Sequence, residues 1–151
     1  MDLRLKIEND LKDAMRASDD LRKRTLRMVL AAIKLADVDT SRGGAKLDDL
    51  GIIAILQKEV KARRESIHDA EKANRNDLAQ DYLDELHVLE TYLPQGIGEA
   101  ELKAMAAEVI QELKASVPAD MGKVIKALMA KLQGRAPGDQ VSKVVRELLQ
   151  K

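Results

Sequence analysis

Asp120 to Lys151 reads DMGKVIKALMAKLQGRAPGDQVSKVVRELLQK. Apolar residues recur at helical spacing on both sides of Gly134-Arg135-Ala136-Pro137-Gly138, which reads as a tight turn between two short helices. Lys123, Lys126, Lys131, Arg135, Lys143, Arg146 and Lys151 face only Asp120, Asp139 and Glu147, a surplus of four positive charges on a chain whose formal net charge is zero. A cationic surplus confined to one small helical unit is the electrostatic footprint of a polyanion-binding surface.

The same period runs back through the chain. Leu3, Ile7, Leu11 and Met15 mark a first helix ending near Ala17, and Ser18 or Asp19 caps a second that passes through Leu26, Leu30 and Ile33 to about Val38. Ser41-Arg42-Gly43-Gly44 reads as a flexible loop, after which Asp48 caps a third helix striped by Ile53, Leu56, Val60 and Ile67. Asn74-Arg75-Asn76 turns the chain into a fourth helix carrying Leu78, Tyr82, Leu86, Leu89 and Leu93. A fifth follows, with Leu102, Met105, Val109 and Leu113, and breaks at Ser116-Val117-Pro118. Period-two alternation is absent, so the expected class is all-α. Pro94 disfavours helix at Leu93, and Gly96 and Gly98 loosen what comes next. The expected organisation is a helical domain of about four helices over 1–93, a linker at 94–98, and a small three-helix domain over 99–151, near the lower size limit for independent folding.

Composition narrows the function classes. Hydrophobic residues make up 45% and charged residues 34%, which suits a folded helical protein rather than a disordered one. The absence of Cys removes disulfides and thiol chemistry. No apolar run approaches the roughly 18 residues of a membrane span, and the charged MDLRLKIENDLK start lacks the apolar middle of a secretory signal. Cytoplasm is the expected location, with no membrane partner. Two Tyr are the only aromatic residues. Single-strand binders stack bases on aromatic faces, so an RNA partner of this chain should be a folded one, gripped by shape and backbone.

Met121-Gly122-Lys123-Val124, Gly134-Arg135-Ala136, Val141 and Val144-Val145 resemble the C-terminal tail module shared by GatB and the YqeY-like proteins. Leu56-Gln57-Lys58-Glu59-Val60-Lys61 with Arg63-Arg64-Glu65-Ser66, and Tyr92-Leu93-Pro94, resemble further hallmarks of the free-standing YqeY-like members. GatB is the tRNA-recognising subunit of the glutamine-dependent aminoacyl-tRNA amidotransferases, and its tail contacts the tRNA body. The resemblance therefore implies a tRNA- or RNA-binding accessory protein, with an aminoacyl-tRNA-related protein as a further partner. Two positions depart from the pattern: Lys126 stands where a second glycine is common, and Pro137 where an aspartate is common. Lys126 either blocks a close backbone approach to RNA or supplies a phosphate contact in its place.

The expected RNA-binding residues are Lys123, Lys126, Lys131, Arg135, Lys143 and Arg146, with Lys58, Lys61, Arg63 and Arg64 as secondary candidates. Arg135 follows Gly134, a residue suited to end a helix at positive φ. Its planar fork fits bidentate phosphate contact, or equally the free carbonyls of the preceding helix. The tail lysines could instead serve solubility alone. Glu59 with Arg63, and Lys61 with Glu65, stand at i,i+4, so ordinary surface pairing competes with a functional role for that cluster. Five cations between Arg22 and Lys34 and five acids between Asn76 and Glu90 read as complementary faces of a bundle, or as a phosphate-contacting surface with a repelling rim.

Catalysis has little to stand on. The five serines are isolated from one another, only Ser41 has glycines beside it (Gly43-Gly44), and neither GxxxxGK[ST] nor GxGxxG occurs. An amidotransferase activity with glutamine as amide donor follows from the family resemblance alone. No cofactor is expected. Glu65-x-x-His68 and Asp84-x-x-His87 have di-iron-like spacing, but counting from the turn near Arg75 puts the two His about 7 Å out of level, so no metal site is expected. The alternative to RNA binding is a protein-interaction adaptor whose first domain docks to a partner.

Overall fold

The computed structural model describes residues 2–39, 43 and 45–150. Apart from Gly43, the expected loop at 41–44 lies outside the described residues, as does Lys151 of the tail. The protein is all-α: among the described residues there are seven α-helices and no strand. They fall into two compact units, Met1–Leu93 and Pro94–Lys151.

The first unit holds α1 (Leu3–Arg16), α2 (Asp20–Asp37), α3 (Asp49–Lys72) and α4 (Asn76–Glu90). Three aspartates start three of these helices. Asp2 accepts from the Leu5 N–H, Asp19 from Arg22 and Asp48 from Gly51, each reaching an amide of the first turn that has no intrahelical acceptor. Asp19, not Ser18, is thus the cap of α2; Ser18 takes positive φ in the turn before it, as Asn74 does before α4. Leu26, Val29, Ile33, Ile52, Leu56 and Leu89 are wholly buried in the common core.

Some expected stripes are shifted. Ala14 is buried while Met15 is half exposed, and Ile52 takes the core position beside which Ile53 and Ile67 are only partly buried. Tyr92 lies in the turn beyond α4 and is buried; Tyr82, inside α4, is half-buried.

Two polar clusters tie α1 to the rest of the first unit. At one end Arg4 makes a bidentate pair with Asp37 at 2.7 and 3.0 Å and donates to the Leu47 carbonyl. Asp37 also accepts from the Leu47 N–H, and Asp49 from the Leu3 N–H, so the N-terminus of α1, the C-terminus of α2 and the start of α3 are tied together. The pairing with Asp37 holds the Arg4 guanidinium above its already high pKa.

Farther along α1 the Tyr92 phenol donates to Asp10 Oδ2 at 2.5 Å, with Arg22 3.7 Å from the same carboxylate and the Lys6 ammonium 4.8 Å from the ring centroid. Burial first, and then the hydrogen bond and charge of Asp10, push the Tyr92 pKa well above its ordinary value, against an opposing pull from Arg22. An unfolded tyrosine titrates near about pH 10. Because the folded value is the higher one, the stabilisation is whole below that pH and is lost as pH climbs toward the folded value. Urea unfolding between about pH 9 and 11 should therefore show a shallower alkaline decline for Tyr92→Phe than for the native chain, by up to one proton. Identical slopes would disprove the coupling.

The second unit holds α5 (Glu99–Leu113), a 3₁₀ turn at Pro118–Asp120, α6 (Met121–Leu132) and α7 (Gly138–Leu149). Leu102, Val109, Val124, Leu128, Leu132 and Val145 fill its core. The 94–98 stretch packs within this unit: Ile97 is buried in the core and its N–H donates to the Arg135 carbonyl at 3.1 Å. Leu113, the last residue of α5, is exposed rather than buried, and Lys114 beyond it closes the helix in the left-handed region at φ 53°.

Candidate nucleic-acid interface

Helix α6 buries Val124, Leu128 and Leu132, and α7 buries Val141, Val144, Val145 and Leu149. At 100° per residue these positions fix the opposite arcs as outward-facing. Lys123 and Lys126 occupy the outward arc of α6, and Lys143 and Arg146 that of α7; all four are exposed. Each pair is spaced i,i+3, which makes its members neighbours on the helix surface. Counting back from the 133–137 turn in an antiparallel hairpin sets Lys126 level with about Val144 and Lys123 with about Glu147. The two pairs therefore stand at matching heights on adjacent helices.

The six expected tail residues divide by their partners. Lys123, Lys126, Lys143 and Arg146 have no ion-pair or hydrogen-bond partner among the described residues. Lys131 is held by Glu112 of α5, its ammonium 3.1 Å from both carboxylate oxygens. Arg135 donates from Nε to the Gln95 carbonyl at 3.3 Å and reaches Glu101 at 4.0 Å. The α6 carbonyls, the alternative to phosphate as a target for the Arg135 side chain, do not receive it. That helix closes instead through two successive left-handed residues, Gln133 at φ 50° and Gly134 at φ 84°. Gly134 meets the expected positive φ one position beyond the helix cap.

Four of the second unit's acids lie on α5, while Asp139 and Glu147 stand exposed on α7 itself. Glu99, Glu101, Glu108 and Glu112 lie exposed on α5, where Glu99 pairs with Lys103. Cations without an ion pair among the described residues stand on α6 and α7, and at Lys114 just beyond α5.

The secondary candidates in the first unit are dispersed. Lys58 and Lys61 are exposed on α3, and Arg64 pairs loosely with Glu90 at 3.7 Å. Arg63 points inward, its side chain only 12% exposed. Its Nε donates to Glu85 at 3.0 Å and one Nη to Glu59 at 2.9 Å, while the other Nη lies 2.8 Å from the Met28 sulfur. Glu85, itself 11% exposed at the side chain, also accepts from Arg24 of α2 at 3.3 Å. The cluster joins α2, α3 and α4, so Arg63 is committed to the interior and not to a surface. Arg27 and Lys34, exposed on α2 with no partner among the described residues, carry more free charge than Arg63 does. Their place in the Arg22–Lys34 cation run was the only sign of them in the sequence.

Among the described residues no group of His, Asp and Glu is arranged to hold a metal ion, and no helix is long and apolar enough to cross a membrane.

With this geometry in view, comparison with known proteins gives one consistent answer. The family model described as Yqey-like protein matches residues 4–149. Curated relatives are named "Altered inheritance of mitochondria protein 41, mitochondrial". That of Lachancea thermotolerans is 37% identical over 114 residues, covering 74% of this chain and 60% of the relative. That of Kluyveromyces lactis is 35% identical over 115 residues, with the same two coverages. That of Pyrenophora tritici-repentis is 29% identical over 151 residues, covering 95% of this chain and 79% of the relative. The chain thus spans about 60% or less of the first relatives' length. Their names correct the expected cytoplasmic location, since the relatives are mitochondrial proteins. The expectation was reached by excluding a membrane span and a secretory signal, and neither exclusion separates cytoplasm from the interior of an organelle.

Proposed function

The chain belongs to the YqeY-like protein family, and from that premise we propose that it is a non-catalytic accessory protein that binds folded RNA, tRNA first among candidates, on the α6–α7 face of its second unit. One observation carries the reading. Lys123, Lys126, Lys143 and Arg146 are exposed, paired along two adjacent helices and uncompensated, whereas Lys103, Lys131 and Arg135 of the same unit are each engaged by an acid. Four free cations, set against Asp139 and Glu147 on the same helix pair, leave a positive surplus that offers phosphates a local field the neutral chain as a whole does not. Lys126, where the family commonly has glycine, adds to that field, so a phosphate contact is the better account of the departure.

Two features make the target folded. Tyr92 is buried and Tyr82 half-buried, so the described surface offers no open aromatic platform for a splayed base. Rigid helices carrying point charges at fixed heights suit a fixed phosphate path, as in a helical RNA stem.

The test is fluorescence anisotropy with labelled tRNA, both bulk and mitochondrial (the latter chosen because the relatives are named as mitochondrial), over a range of salt. Replacing Lys123, Lys126, Lys143 and Arg146 together by Ala should abolish binding at low salt. Single replacements should each flatten the log–log salt dependence by about 0.7–0.9. Lys131→Ala and Arg63→Ala should leave that slope unchanged. Absence of binding by the native chain at low salt would overturn the proposal.

A further inference from the structure

We propose that the end of the first unit where α1, α2 and α3 are tied together is a docking site for a basic amphipathic helix of a partner protein. Four of the seven exposed large hydrophobics among the described residues, Leu5, Leu35, Val38 and Leu50, belong to the segments joined there by the Arg4–Asp37, Asp37–Leu47 and Asp49–Leu3 contacts. Leu35 and Val38 are 74% and 72% exposed, the highest values among them. Leu50 lines a groove of about 660 Å³ together with Asp2, Arg4, Lys46, Leu47, Asp48, Asp49 and Ile52. Isolated exposed leucines need no explanation. Four gathered at one end, one of them lining an open groove, mark an interaction surface.

The charge of the lining selects the occupant. Arg4 is neutralised by Asp37, which leaves Asp2, Asp48 and Asp49 against Lys46 alone. The N-termini of α1 and α3 offset about half a charge each, and the mouth stays acidic. An acidic mouth repels phosphate, which disfavours RNA and anionic lipid alike. Aliphatic anchors beside it call for an apolar stripe, and the acids call for Lys or Arg flanking that stripe. A helix lying in a groove presents both at i, i+3, i+4 and i+7.

The site is distinct from the α6–α7 face and can fail independently of it. The probe is a labelled synthetic helix of about 14 residues, spanning ~21 Å, made of Leu and Lys, with a Leu and Glu counterpart as control. The native chain should bind the Leu–Lys helix at least about tenfold more tightly than the control, a difference of ~1.4 kcal/mol. Leu35→Ser with Val38→Ser, both at exposed positions, should cost a comparable factor without altering the fold or tRNA binding. Lys46→Ala, which removes the one uncompensated cation of the groove lining, should strengthen binding. Amide shifts in ¹⁵N-labelled protein should concentrate at Leu3–Leu5, Leu35–Val38 and Lys46–Ile52. Equal binding of the two helices, indifference to the double Ser variant, or shifts centred on α6–α7 would each overturn the proposal. Self-association lost in the double Ser variant would overturn it as well, by making a second copy the occupant. Shifts of the same amides on adding tRNA would do so by making this end an RNA surface.

Discussion

Arg63→Ala lowers the unfolding free energy of the first unit by about 3 kcal/mol, and its midpoint by on the order of 15 °C. The side chain is nearly buried, and its three contacts bridge α2, α3 and α4: Glu85 at 3.0 Å, Glu59 at 2.9 Å and the Met28 sulfur at 2.8 Å. Removing it strands Glu85 at 11% exposure with Arg24 as its remaining partner, and Glu59 with none of the described contacts. Breaking a buried pair from one side costs about 3–5 kcal/mol because the other charge stays behind. The retained Arg24 contact sets the expected value at the low end. Changing both charges together, Arg63→Met with Glu85→Leu, should recover most of the loss, since well-packed apolar replacements of buried ion pairs are often neutral. Thermal unfolding followed through the amides of α2–α4 checks both variants. A loss under about 0.5 kcal/mol for Arg63→Ala would class the cluster with ordinary surface pairs. Because Arg63 sits in the interior, tRNA binding measured where both chains are folded should be the same.

That cluster also shows where sequence reading stopped. The Glu59–Arg63 pair was legible because i,i+4 spacing is a local rule. The contacts that bury Arg63 span 22 residues to Glu85, and a further 61 separate Glu85 from Arg24. Nothing local marks them, so in sequence surface pairing was weighed against a functional role and an internal one was not foreseen. Arg135 behaves the same way: its acceptor is the Gln95 carbonyl, 40 positions earlier.

Where local rules govern, the reading held. The all-α class follows from the 3.6-residue period, and Asp48 caps α3 as expected because a carboxylate before an apolar-periodic run finds the first-turn amides. Met15 shows the limit of a simple stripe. Steps of four advance by 400°, or 40° beyond a full turn, so three steps from Leu3 have drifted about 120°. Met15 leaves the core on that account, and Ala14, unremarkable by hydrophobicity, takes its place. In the second unit the tail was legible only as two short apolar-periodic helices. The structure puts Val124, Leu128 and Leu132 on the inner face of α6, with Lys123 and Lys126 on the outer one. Which of those cations are free depends on acids of another helix, and that required the fold.

Leu128→Ala should have the largest effect of any single change in the second unit. Leu128 is wholly buried at the centre of α6, among Leu102, Val109, Val124 and Val145. Truncating a leucine in such a site costs about 2.7–5 kcal/mol, the transfer of the lost methyl groups plus the cavity they leave. The unit spans only Pro94–Lys151, and a core of that size supplies no more than about 3–5 kcal/mol of net stability. The substitution therefore removes most or all of it. Hydrogen exchange on the full chain should show amides of α5–α7 losing protection while those of α1–α4 keep theirs. Lys123, Lys126, Lys143 and Arg146 all remain in this variant, but without the helices their fixed spacing is gone. If the proposed tRNA site depends on that spacing, binding falls to the level of the fourfold Ala variant although no cation has been removed. If it depends only on local charge, binding persists in the unfolded tail. A native affinity in a Leu128→Ala chain shown by exchange to be open in α6–α7 would refute the rigid-face account of recognition.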